Sequence, residues 1–245
     1  MSLLSFFGKC YYLAFNITPI CFPHQKKQFL ELYGRELLRS SKRISNPGCY
    51  ATSSQFLIAP LVNHIKPGTL PTVLGISGYS GAGTFVSKDA SGKAVSLPKV
   101  SAESLKGGVK PYALTGHIHE REAGYHLSRL LEGESSTIKV AFIPSVAPWF
   151  SGIISTVSIS LSDKLTAKDV VGMFEEKYAG EKLVKIKKEV PELKDVEGNQ
   201  GWVVGGFQTS VEGDRVVMVV CCSIVMVMMM VGELNIIIRA GLIIC

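Results

Sequence analysis

Apolar and polar positions divide the chain into three parts of different texture. The middle part has regular periods broken by turn residues. Asn46-Pro47-Gly48 is a turn. Beyond it Phe56, Leu57, Leu61, Val62 and Ile65 lie at helical spacing and predict a helix over Tyr50 to Ile65, stopped by Pro67-Gly68. Thr72 to Ser77 predicts a short strand running into a glycine-rich loop, and His117 to Leu131 predicts a second helix with Ala123, Leu127, Leu130 and Leu131 inward. Lys139 to Pro144 and Gly152 to Leu161 are rich in β-branched residues and predict strands. Thr166-Ala-Lys-Asp169 is a near capping box for a helix ending at Gly180. Strands follow near Leu183 to Lys187, Trp202 to Gln208 and Arg215 to Val220. Few long crossovers separate the later strands, so the expected fold is α+β, a mixed, largely antiparallel sheet with helices on one face.

The flanks differ. Residues 1–29 are aromatic and apolar, broken by Pro19 and Pro23, and match neither a secretory signal nor a mitochondrial presequence. From Val216 to Val231 no residue is charged, and five of the sixteen are methionine. A membrane helix needs about twenty apolar residues, so a strand running on into apolar sequence is the preferred reading over a membrane span. The expected division is 1–29 as an unmatched apolar segment, 30–220 as the folded domain and 221–245 as an aberrant tail.

Charge excludes one class of partner. The net charge is +6, but residues 1–43 carry seven Lys/Arg against two acids, while residues 44–215 carry eighteen against seventeen. A nearly neutral body lacks the clustered cations that neutralise a phosphate backbone, so no nucleic-acid partner is expected. The six cysteines, at 10, 21, 49, 221, 222 and 245, form no C-x-x-C pair and no zinc spacing. No metal and no disulfide framework are expected.

Three constellations carry candidate chemistry. Cys49 follows the Asn-Pro-Gly turn and opens a helix, where unpaired backbone N–H groups and the positive end of the helix dipole favour a thiolate and supply oxyanion donors. The alternative is a buried structural thiol. Gly116-His-Ile-His-Glu-Arg-Glu122 offers His117 as a general base, with His119 the fallback. Read as helical, His117 and His119 stand about 200° apart and cannot share a metal from one face; His117 with Arg121, or His119 with Glu122, share faces. Gly75-Ile-Ser-Gly-Tyr-Ser-Gly-Ala-Gly83 is either an anion loop or an ordinary glycine-rich turn, and it lacks the order of a dinucleotide fingerprint.

Taken in register, Ser45-Asn-Pro-Gly-Cys-Tyr-Ala-Thr52, Ser77-Gly-Tyr-Ser-Gly-Ala-Gly83, His117-x-His-x-x-Glu122, Pro148-Trp-Phe-Ser-Gly-Ile153 and Gly201-Trp-Val-Val-Gly-Gly-Phe207 resemble N-acetyl-γ-glutamyl-phosphate reductase. The resemblance is to the fungal form, part of a mitochondrial arginine-biosynthesis polyprotein that also carries acetylglutamate kinase. It implies a glyceraldehyde-3-phosphate-dehydrogenase-like C-terminal catalytic domain, a small-molecule acyl phosphate as substrate, NADP as cofactor, a homo-oligomer, acetylglutamate kinase as a possible partner and the mitochondrial matrix as location. It implies reduction of N-acetylglutamyl 5-phosphate to the 5-semialdehyde through a thioester on Cys49, with His117 as acid/base. Glu122, His119 and Arg121 would bind substrate, and Ser77, Gly78, Ser80 and Gly81 would lie near the cofactor.

Two departures qualify this. No G-x-G-x-x-G precedes Cys49, so the NADP-binding domain is expected to be missing, and Ser145 stands where the family pattern calls for a histidine. The expectation is a truncated version with little or no NADPH turnover; the alternative is a non-catalytic dimerising or assembly protein that retains the fold.

Overall fold

The computed structural model describes residues 26–27, 44–45, 48–131, 137–199 and 201–223. Most of the expected 1–29 and 221–245 segments lies outside the described residues. Among the described residues, eleven strands and four α-helices follow in the order β1 (Lys26–Lys27), β2 (Ile44–Ser45), α1 (Cys49–Ile58), β3 (Thr72–Gly78), β4 (Thr84–Lys88), β5 (Ala94–Pro98), α2 (Ala102–Leu105), β6 (Lys110–Pro111), α3 (Ile118–Ser128), β7 (Ala141–Ala147), β8 (Ile153–Ser160), α4 (Ala167–Lys177), β9 (Val184–Ile186), β10 (Trp202–Thr209) and β11 (Arg215–Cys222). Seven strands form one sheet in the order β6-β7-β3-β8-β11-β10-β9. The pairs β3/β7 and β9/β10 are parallel and the other four are antiparallel. The expected α+β architecture is therefore observed.

Alternation decides which face carries the helices. Along β8, Ile153, Ser155, Val157 and Ile159 are buried while Ile154, Thr156, Ser158 and Ser160 are half-buried. The buried set joins Val73, Phe142, Val216, Met218 and Val220 in one core beneath α1, α3 and α4. The opposite face presents Leu74, 49% exposed, with half-buried Ile76, Ile143, Thr156 and Val217. At one end that face is covered by Leu193 and Val196 packing near Cys221.

Helix α1 is the spine of the core, with all ten residues buried. Its polar side chains are satisfied locally: Thr52 Oγ1 donates to the Gly48 carbonyl, Ser54 Oγ to Tyr50 and Gln55 Nε2 to Ala51. Ser53 reaches Ser155 Oγ at 3.1 Å and ties the helix to β8. The sequence predicts one helix to Ile65, but α1 ends at Ile58 and residues 59–64 continue as a 3-10 helix. Pro60 is the cause, since it cannot donate to the carbonyl of Phe56. The hydroxyl of Tyr178 donates to that carbonyl instead, at 2.6 Å.

Pro144 marks the expected end of the strand from Lys139, yet β7 runs on to Ala147. Phe142 N–H points away from β3, toward Glu120, so the donor missing at Pro144 falls on that same outer side. The exposed β4/β5 hairpin was not anticipated from the pattern; its Phe85, Val86 and Leu97 remain 42–70% exposed. Among the described residues no helix is long and apolar enough to cross a membrane.

Candidate active site at the start of helix α1

Gly48 caps α1 in an extended conformation and offers no side chain to the first-turn N–H groups, leaving Cys49 at the first helical position. The thiol-bearing residue is 2% exposed. Helix α3 brings the rest of the site to this turn. His119, 4% exposed, packs its imidazole directly against Gly48, where an added Cβ would lie 2.9 Å from Cδ2 and 3.0 Å from Cε1. The same ring lies 6.1 Å from the Tyr50 ring, so His119 touches the chain on both sides of Cys49. Glu122 accepts the Gly48 N–H through both carboxylate oxygens, at 3.3 and 3.4 Å, and its Oε2 stands 3.9 Å from His119 Nε2.

His117 is not helical. It is the N-cap of α3, and its Nδ1 accepts the backbone N–H of His119 at 3.2 Å. This extended residue swings the two imidazoles together, with centroids 4.7 Å apart, rather than to opposite sides of a helix. His117 also stacks edge-on against Phe142 and Tyr112. The fallback histidine thus packs on Gly48 at the Cys49 turn, and the favoured one packs against that histidine.

The other expected residues are distributed differently. Arg121 is exposed on a groove of about 1090 Å³ that Tyr125, Arg129 and Lys139 also line, and that groove includes none of Cys49, His117, His119 and Glu122. In the serine-glycine loop, the N–H groups of Gly78, Tyr79 and Ser80 donate to the carbonyls of Gly152, Trp149 and Phe150, and Ser77 Oγ donates to Gly78. Gly78 lies against the Phe150 carbonyl. Those three amides are committed to the chain, so they form no phosphate cradle; Ser80 and Gly81 stay toward the surface. The described residues contain no dinucleotide-binding unit, so no step involving NADP can be built on them. Ser145 is buried, and its carbonyl accepts the Tyr50 hydroxyl at 3.0 Å.

Sequence reasoning missed Glu120 and Phe142. The Asn-Pro-Gly turn signalled a close approach at Gly48, but nothing local signalled what would approach it. Burial pushes the Cys221 thiol up to about 12 and raises that of Cys222 as well, which keeps both protonated at neutral pH.

A helix-borne cysteine beside a histidine-glutamate pair, on a mixed sheet with one open face, defines a class. The family described as semialdehyde dehydrogenase, dimerisation domain, matches residues 49–223. The fold is shared with aspartate semialdehyde dehydrogenase from Francisella tularensis, at 14% identity and a TM-score of 0.61 over 82% of this chain and 66% of that one. Within that class the chain belongs to the N-acetyl-γ-glutamyl-phosphate reductase family, matched over the dimerisation domain. It is 43% identical to the mitochondrial protein arg-6 of Neurospora crassa over 79% of this chain and 20% of that protein. It is 39% identical to N-acetyl-γ-glutamyl-phosphate reductase of Stenotrophomonas maltophilia over 73% of this chain and 50% of that enzyme. The chain thus spans half or less of the length of these relatives.

Proposed function

We propose that this chain carries the acylating half of an N-acetylglutamyl-phosphate reductase, acting in arginine biosynthesis and, like its fungal relatives, in mitochondria. The observation that carries this reading is His119 packed on Gly48 beside Glu122, next to Cys49 at a helix start. The Cys49 thiolate attacks the acyl carbon of N-acetylglutamyl 5-phosphate; a C–S bond forms, the C–O bond to phosphate breaks, and inorganic phosphate leaves. First-turn N–H groups of α1 hold the developing oxyanion. His119, as imidazolium, favours the thiolate, and the Glu122 carboxylate favours the imidazolium. A carboxylate this close would by itself disfavour a thiolate, so its benefit runs through His119. Reduction of the thioester to the semialdehyde needs a hydride donor, for which the described residues form no site, so that step is not assigned to this chain.

Alkylation of the purified chain by iodoacetamide, mapped by peptide, is the test. Cys49 is expected to react with an apparent pKa below about 7.5, against about 8.5 for an ordinary thiol. The acyl phosphate is expected to slow this labelling. A Cys49 that reacts only in alkaline solution, unprotected by substrate, would sink the reading.

The open sheet face favours a second property, self-association. That face presents Leu74, 49% exposed, beside half-buried Ile76, Ile143 and Val217, and the matched family is described as a dimerisation domain. Leu74→Glu is expected to convert a dimer to a monomer by light scattering; a variant that keeps the wild-type mass would place the contact elsewhere.

A further inference from the structure

Glu120 is not required by the acylation chemistry, yet both its oxygens are used. Oε2 accepts the N–H of Gly116, the residue before the N-cap His117, at 2.9 Å. Oε1 accepts the N–H of Phe142 at 3.1 Å, a contact across 22 residues to the outer edge of β7, where β6 reaches only Ser145 and Val146. The Phe142 ring in turn lies 4.7 Å from Tyr50, 5.2 Å from His117 and 6.2 Å from His119. One carboxylate therefore fixes the entry to α3 and the strand whose aromatic ring backs both histidines.

We propose that Glu120 is a positioning residue, a clamp between the start of α3 and β7 that sets His119 against the Gly48–Cys49 turn. The inference deepens the acylation reading and rests on it. Charge-assisted hydrogen bonds are short and directional, so one carboxylate holding two backbone donors restricts the helix start more than packing alone does. The titratable groups that contact the cysteine turn at Gly48 are His119 and Glu122, and His117 packs against His119. Glu120 acts behind them and touches no reacting atom.

The test uses the full chain and two readouts: the pH profile of Cys49 alkylation by iodoacetamide, and NMR titration of the His119 imidazole. Glu120→Ala is expected to slow alkylation at neutral pH roughly tenfold, the scale of a lost charge-assisted bond, and to shift the His119 titration. Glu120→Gln keeps one acceptor oxygen and is expected to fall between. Ser128→Ala is the control. It removes the acceptor of the Ile138 N–H at the other end of α3 and should lower the melting temperature without moving either readout. The clamp is overturned if both readouts for Glu120→Ala and Glu120→Gln coincide with wild type, or if Ser128→Ala moves them equally. A shifted His119 with an ordinary thiol in every protein would sustain the clamp and overturn the thiolate reading instead.

Discussion

Gly48→Ala is expected to make Cys49 at least about tenfold less reactive toward alkylation at neutral pH and to lower the melting temperature. The backbone at Gly48 has φ −62° and ψ 156°, which alanine adopts without strain. The whole effect must therefore come from the methyl group, which would collide with the His119 imidazole. That ring cannot easily withdraw, because it is buried and backed by Tyr50, His117 and Phe142. Overpacking at such a point costs about 1–3 kcal/mol, and about 1.4 kcal/mol is a factor of ten. Displacing the histidine also breaks its approach to Glu122, so reactivity should fall further than stability. Alkylation rate against pH, measured beside a thermal melt, checks both; an unchanged Cys49 profile would mean that His119 does not tune the thiol.

Phe56→Ala should destabilise the fold by about 3–5 kcal/mol, the range for truncating a fully buried phenylalanine. Phe56 lies nearly parallel to Tyr178 at 4.3 Å and to Trp202 at 5.4 Å, joining α1 to α4 and β10. Its loss opens a cavity among three rings and weakens the stacking that holds the Tyr178 hydroxyl on the Phe56 carbonyl. Urea denaturation read at Trp202, with Trp149 as the other tryptophan, gives the change directly. A loss under about 1 kcal/mol would show that the surroundings collapse into the space.

The core strands were legible because they are short apolar, β-branched runs, alternating in β3 and β8 and continuous in β10 and β11: all four fall within a few residues of expectation. Pro60 should have ended α1, but the apolar spacing on either side of it masked the break. The β4/β5 hairpin left no signature, because a ribbon exposed on both faces buries no alternate residue. Cys49, His119 and Glu122 stood out in the sequence as types and spacings. That His119 packs on Gly48 with the His117 ring beside it did not, because a helical reading separates rings that an extended cap residue brings together. The serine-glycine loop misled in the same way: its composition suggests free amides, and only the non-local carbonyls of residues 149–152 show them taken. Glu120 was invisible for the same reason, since its second bond reaches a strand that sequence cannot place beside it.

The element that opens with Cys49 is wholly enclosed, with every residue from 49 to 58 out of solvent. Placement of the thiol and thermodynamic integrity therefore share one set of atoms. The sulfur's backbone is fixed during folding, so its ordering entropy is met before any ligand arrives. The corollary is evolutionary: drift in the hydrophobic interior of this domain cannot be silent for the thiol, and selection on either property constrains the other.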